Sequence, residues 1–224
     1  MTRGRLVVVT GTGTGIGKTH FCVALLRALA THFDRVTGTK PVETGVADPR
    51  LSDAARLATA SSFHVQHSGY FYADPVSPHL AARRSGDVID LGRLSEIVSK
   101  VRMQTSFALV ELAGGLFSPL TDTALNADWV ALLEPDATLL VAPDRLGVLH
   151  EVLSTTRAAQ SMSVAIAATV LSEPPQATQD ASTGLNSLEL HGFLSMPVYA
   201  LPRLTADALA RDPSVMSIAA SLAR

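Results

Sequence analysis

A stretch near the start of the chain has the residue types that hold polyphosphates. Thr10-Gly11-Thr12-Gly13-Thr14-Gly15-Ile16-Gly17-Lys18-Thr19 follows the apolar run Leu6 to Val9 and precedes an apolar stretch from Thr19 to Leu29. Glycines let backbone N–H groups turn toward an anion without side-chain obstruction. A helix start adds unpaired N–H groups and positive dipole. In this reading Gly13, Thr14, Gly15, Ile16, Gly17, Lys18 and Thr19 bind the nucleotide, Lys18 reaches its β- and γ-phosphates, and the Thr19 hydroxyl ligates Mg²⁺. The common motif has four residues between its first Gly and Gly-Lys-Thr. Here Gly11 and Gly17 enclose five, which makes this an elongated variant. The loop alone does not choose among GTPases, partitioning ATPases, kinases and ligases.

Three further residues suit phosphoryl transfer, which needs a metal bridging two phosphates and positive charge on the transferred group. Thr19, Asp53 and Glu111 carry one hydroxyl and two carboxylates, hard oxygen donors of the kind Mg²⁺ takes. Lys18 and Lys40 carry two ammonium groups. Plainer roles are open for each: Lys40 as a surface lysine, Asp53 as a charge at a helix start. Glu111 closes a buried apolar run, where a carboxylate is costly unless paired. Thr44 positions a substrate or caps a turn, and His79 is assigned no catalysis.

The elements that must carry these residues alternate. Strands are expected at Leu6 to Val9, Arg35 to Thr39, Phe107 to Val110 (ending on Glu111), Thr138 to Ala142 and Val164 to Val170. Helices are expected at Thr19 to Leu29, Leu51 to Thr59, Asp90 to Val101 and Val148 to Ala159, with one or two more after Pro202. Alternation of this kind implies βαβ units. We expect residues 1–224 to form one P-loop NTPase-like α/β domain, a three-layer αβα fold with a mostly parallel sheet and helices on both faces. Ligands bind such sheets outside the carboxyl ends of the strands. The chemically interesting segments sit there: Gly11 to Thr19, Lys40 to Gly45, Glu111 to Gly115 and Asp144 to Gly147.

Composition narrows the function classes. The formal net charge is -2, so a basic nucleic-acid footprint is absent. The adjacent pair Arg83-Arg84 reads as a solvated helix face. Cys22 is the only cysteine, which rules out a disulfide within the chain and makes a reducing compartment the default. It lies in an apolar helical stretch, where it packs. No apolar run approaches the roughly 18–20 residues of a membrane span. Leu6 to Val9 is too short for a signal-peptide core. These features predict a soluble, cytoplasmic protein. The stretch Gln176 to Thr183 is the nearest thing to a flexible loop.

Taken together, five segments resemble the dethiobiotin synthetase family, in order and at family-like spacing. They are the elongated loop Val9 to Thr19; Lys40-Pro41-Val42-Glu43-Thr44-Gly45; Ser52-Asp53-Ala54; Pro75-Val76-Ser77-Pro78-His79; and Leu109-Val110-Glu111-Leu112-Ala113-Gly114-Gly115-Leu116-Phe117-Ser118-Pro119-Leu120. Thr121-Asp122 and Ala127-Asp128-Trp129 fit too. The likeness covers Leu6 to Gly147 and is weak beyond.

The resemblance implies a ligase of biotin biosynthesis. It takes 7,8-diaminononanoate, CO₂ and ATP (other nucleoside triphosphates remaining open) with Mg²⁺. It also implies a homodimer with the substrate near the interface. Thr19, Asp53 and Glu111 would then hold the Mg²⁺, Lys18 and Lys40 would be the catalytic residues, and Thr14, Lys40 and Thr44 would face substrate. Backbone amides of Gly147, Val148, Leu149 and His150, at a helix start of the second subunit, would hold its carboxylate. Partitioning ATPases carry a second lysine near the start of the loop, where Thr12-Gly13-Thr14 stands here. A related ligase on another amine stays open.

Three positions depart from the family. Leu112 stands where it has Gly, so a side chain is expected to crowd the substrate or shift the backbone. His150-Glu151 replaces Asn-His, bringing a negative charge near the carboxylate site. Val170-Leu171-Ser172-Glu173-Pro174-Pro175 lacks the Asn that reads adenine. From Gln176 onward no functional signal is visible.

Overall fold

The computed structural model describes residues 3–224. Its strands are β1 (Arg5–Gly11), β2 (Val36–Thr39), β3 (Val42–Thr44), β4 (Tyr70–Tyr72), β5 (Phe107–Glu111), β6 (Ala137–Pro143), β7 (Ile166–Ser172) and β8 (Val198–Leu201). Six of them form one sheet in the order β2-β5-β1-β6-β7-β8, and every pairing is parallel. Strands β3 and β4 form a separate parallel pair. The helices are α1 (Lys18–Leu29), α2 (Asp53–Ala60), α3 (Pro78–Arg84), α4 (Leu91–Gln104), α5 (Asn126–Leu133), α6 (Val148–Ser161), α7 (Asn186–His191), α8 (Ala206–Leu209) and α9 (Pro213–Ala223).

The central strands are buried on both faces, which is why they read as unbroken apolar runs. Strand alternation divides them between two cores. Leu6, Val8, Ala108, Val110, Leu140 and Ala142 pack with Leu94, Trp129 and Val152 of α4, α5 and α6. Val7, Val9, Leu109, Leu139 and Val141 pack with Phe21, Leu25, Val215 and Ile218 of α1 and α9. The result is helices on both faces of a parallel sheet, as expected.

Several boundaries move for local reasons. The helix expected from Leu51 begins at Asp53, because Ser52 takes extended backbone and its hydroxyl accepts from Ala55 N–H at 3.1 Å. Asp90 lies outside α4 as its cap, accepting from Gly92 and Arg93 N–H. The strand expected from Val164 to Val170 starts at Ile166 and runs to Ser172. The stretch Gln176 to Thr183 opens with one 3-10 turn and is anchored to neighbours.

Leu112 corrects one expectation. Its side chain is buried in the core beside Trp129 and Val110, its N–H donates to Val9 O, and its φ is not positive. It does not line the cleft at the strand ends, so it does not crowd that cleft. Leu112→Ala is expected to cost about 2–5 kcal/mol of stability through a cavity. It should leave substrate KM unchanged. A melting curve and steady-state kinetics check this, and a lower diamine KM in the variant would restore the crowding view.

Candidate active site

The phosphate loop is built by its contacts with the strands around it. Thr12 N–H donates to Val141 O of β6 at 3.0 Å, and Leu116 N–H donates to Gly11 O at 3.0 Å. Gly17 caps α1 with φ 95°, a left-handed conformation that favours glycine. A Cβ there would also fall 2.6 Å from Ser172 Oγ. Gly115 allows a close backbone approach to the loop. A Cβ on it would lie 2.9 Å from Gly11 O and 3.2 Å from the carbonyl carbon of Thr12. Asn126, at the start of α5, pins that second loop by donating to Ala113 O and Gly115 O, both at 2.8 Å. Lys18 folds back over the loop, its Nζ donating to Gly13 O at 2.6 Å.

Lys40 leaves the end of β2 and reaches inward. Its Nζ lies 2.6 Å from Asp53 Oδ2 and 2.9 Å from Glu111 Oε1. Thr19 Oγ1 donates to the same Glu111 oxygen at 2.8 Å. The surface-lysine and helix-charge readings therefore fail as full accounts: Lys40, Asp53, Glu111 and Thr19 are one cluster. Asp53 also takes an ion pair with Arg56 at 3.2 Å. Position is enforced by Glu43, whose carboxylate accepts from Asp53 N–H at 2.7 Å and Ala54 N–H at 3.0 Å. With Ser52 it satisfies the first N–H groups of α2 and sets where Asp53 begins that helix.

Electrostatics follow burial and pairing. Burial pushes Lys18 down to about 8; Glu111 opposes this and Lys40 adds to it. A bound polyanion would favour the charged form of Lys18. Lys40 is also desolvated, yet Glu111 and Asp53 outweigh that and hold it above its ordinary value. Burial raises Asp53, but Lys40 pulls it below the usual carboxylate value.

A cleft of about 240 Å³ at the strand ends is lined by Thr14, Gly15, Ile16, Gly17, Lys18, Thr19, Lys40, Asp53 and Glu111. Two residues not singled out by sequence also line it, His20 and Arg56, together with Gly114 of the Glu111 to Gly115 segment. Arg56 was legible in principle, standing one helical turn after Asp53. Thr44, at the end of β3, does not line this cleft, and neither do Gly147, Val148, Leu149 and His150. Glu151 of α6 does approach the loop, accepting from Thr12 Oγ1 at 3.0 Å while pairing with Arg145 at 2.7 Å. Its charge is thus matched within the chain.

The oxygen donors fit a hard divalent cation. Both carboxylates meet at the Lys40 ammonium, the Thr19 hydroxyl reaches the same Glu111 oxygen, and Glu111 Oε2 is buried with no hydrogen-bond partner. A second cavity of about 260 Å³ lies beside Gly17 at the carboxyl ends of β7 and β8, lined among others by His20, Phe21, Ser172, Pro202 and Leu204. No described helix is long and apolar enough to cross a membrane.

Fold and site define a P-loop nucleotide-binding α/β protein. Solved structures agree on the fold. A MinC:MinD cell division protein complex from Aquifex aeolicus gives a TM-score of 0.58 at 11% identity, covering 98% of this chain and 96% of that one. A ParA family ATPase from Chlorobium tepidum TLS gives 0.57 at 14% identity, covering 96% and 98%. A family model described as an AAA domain matches residues 5–205. Curated relatives are more specific. The ATP-dependent dethiobiotin synthetase BioD of Caulobacter sp. (strain K31) is 40% identical over 172 residues, 74% of each chain. That of Anaeromyxobacter sp. (strain K) is 34% identical over 218 residues, 96% of each chain. The chain belongs to the ATP-dependent dethiobiotin synthetase family of ligases.

Proposed function

We propose that this chain, acting in the cytoplasm as one domain over residues 1–224, carboxylates 7,8-diaminononanoate and closes its ureido ring. The observation that carries the reading is the cluster of Lys40, Asp53, Glu111 and Thr19 beside the phosphate loop. One amine of the substrate adds to CO₂, giving a carbamate. A carbamate oxygen attacks the γ-phosphorus of ATP and ADP leaves, giving a carbamic–phosphoric anhydride. The second amine attacks the carbonyl carbon and phosphate leaves.

In this reading the loop N–H groups from Gly13 to Thr19 cradle the phosphates, and Thr14 also faces substrate. Lys18 and Lys40 carry positive charge to the transferred group. Thr19, Asp53 and Glu111 would hold Mg²⁺, which supplies charge neutralisation on the phosphates. Positioning and electrostatics supply the rate; little acid–base work falls to the protein. The cavity beside Gly17 takes the nucleobase. Its hydroxyl and backbone groups support acceptance of nucleoside triphosphates besides ATP. Thr44 and the start of α6 complete the substrate site in a homodimer. There the N–H groups of Gly147 to His150 hold the substrate carboxylate of the second subunit.

The test is phosphate release with Mg²⁺, bicarbonate and each nucleoside triphosphate, with and without the diamine. Diamine-dependent release, with dethiobiotin identified by mass spectrometry, is expected. Nucleotide binding with no diamine-dependent release would transfer the chain to a related amine substrate.

A further inference from the structure

Thr12 sits where the phosphate loop leaves β1, and three contacts hold it. Its N–H is bound to Val141 O. Its carbonyl carbon lies against Gly115. Its hydroxyl donates to Glu151 Oε2 at 3.0 Å, across 139 residues of sequence. The first two are backbone contacts that most side chains at position 12 would leave intact. The third depends on side-chain chemistry at both ends.

Glu151 is itself held. Its other carboxylate oxygen accepts from Arg145 Nη2 at 2.7 Å, and Arg145 Nη1 donates to Leu146 O at 3.1 Å. The turn bearing Arg145 is fastened in turn. Leu146 N–H donates to Asp180 at 2.8 Å, while the Asp144 carboxylate accepts from Gly184 N–H at 2.8 Å and Asn186 Nδ2 at 2.6 Å. Asp144 is almost fully buried. Both oxygens of Glu151 are thus used, and its carboxylate is anchored to a turn the fold holds in place. A side chain that only satisfied the dipole at the start of α6 would need neither Thr12 nor Arg145.

We propose that Glu151 is a positioning residue for nucleotide binding. Held by Arg145, it fixes Thr12 and therefore the neighbouring Gly13, whose carbonyl faces the Lys18 ammonium at 2.6 Å. Losing that hold lets the first half of the loop sample conformations in which its N–H groups no longer converge on the phosphates. Preorganisation of this kind sets affinity without adding a contact to the ligand. The segment from Gln176 to Asn186 thereby acquires a part in the same device, because it secures the turn on which Arg145 stands. The proposal concerns nucleotide binding alone and does not need the diamine reading to hold.

The test is a double-mutant cycle on Thr12→Val and Glu151→Ala, read by calorimetric binding of a non-hydrolysable ATP analogue with Mg²⁺ and no diamine. Each single variant is expected to weaken binding about tenfold, and the double variant no further, since both remove one interaction. Glu151→Gln should recover only part of the affinity, because its amide oxygen can still accept from Thr12 while its amide nitrogen cannot accept from Arg145. Melting curves show which variants fold, and Thr12→Val, a nearly isosteric change, keeps the test open if Glu151→Ala does not. Thr12→Val or Glu151→Ala with affinity within twofold of wild type would overturn the proposal. So would fully additive losses, which would leave Glu151 as a stabiliser of α6 only. Failure of diamine-dependent turnover with this cycle intact would count against the ligase reading instead.

Discussion

Lys40→Met should lower diamine-dependent turnover by about a thousandfold, the scale seen when a fixed electrostatic stabiliser of a transition state is removed. Nucleotide binding should survive, because the loop from Gly13 to Lys18 is held by contacts that do not include Lys40. A second effect separates this residue from an ordinary surface lysine. Among the described residues its ammonium is the only ion-pair partner of Glu111, whose side chain is 1% exposed. Removing one member of a buried ion pair strands the other, typically at about 3–5 kcal/mol. The metal-free variant should therefore melt roughly 10 °C below wild type. Mg²⁺ should return much of that loss by occupying the same carboxylates. Lys40 is held above its ordinary value of 10.5, so its stabilisation is fully present below pH 10.5 and is lost only above it. The charge of Lys40 itself therefore does not change near neutral pH. Turnover within threefold of wild type would refute the phosphoryl-transfer role. An unchanged melting temperature would refute the buried-pair account.

Glu111→Gln carries the second large effect. The substitution keeps side-chain volume and can still accept from Thr19, so β5 should remain in place. It removes the negative charge and exchanges one oxygen for an amide nitrogen, which cannot ligate Mg²⁺. Half-saturation by Mg²⁺ should rise about a hundredfold, the upper end of what outer-sphere changes alone cost a metal site. kcat at saturating metal should fall as well. Asp53→Asn should act in the same direction but less, since Asp53 is more exposed and shared with Arg56. The measurement is initial rate against Mg²⁺ at fixed nucleotide. A titration superimposable on wild type would remove Glu111 from the ligand set.

Much of this protein was legible before any coordinates. Parallel strands covered on both faces must be apolar along their length, so Leu6 to Val9, Phe107 to Val110 and Thr138 to Ala142 announced themselves. The phosphate loop is a local device whose glycines, lysine and hydroxyl are contiguous, and local order suffices to read it. Resemblance supplied Lys40, Asp53 and Glu111, which the fold then gathers around one point. What escaped had weak local signals. Strands β3 and β4 have three residues each, too short for any periodicity. Helix α5 is apolar on most of its surface, and its first residue is spent on bracing the Gly114–Gly115 loop.

The sequence by itself determined the chemistry available, because residue types and short-range spacing decide which groups can cradle phosphate or ligate a hard cation. Tertiary structure alone decided how those groups are held. Glu43 was present in a recognised segment, yet nothing in its neighbours said that it would cap α2 and set Asp53. Leu112 looked like an intruder until its place just past the end of β5 turned it into the core. Glu151 looked like a misplaced charge until Arg145 and Thr12 were found against it. Pairings of this kind join residues 10 to 139 positions apart. Their geometry comes from sheet order and helix packing, which are properties of the whole chain and of no segment within it.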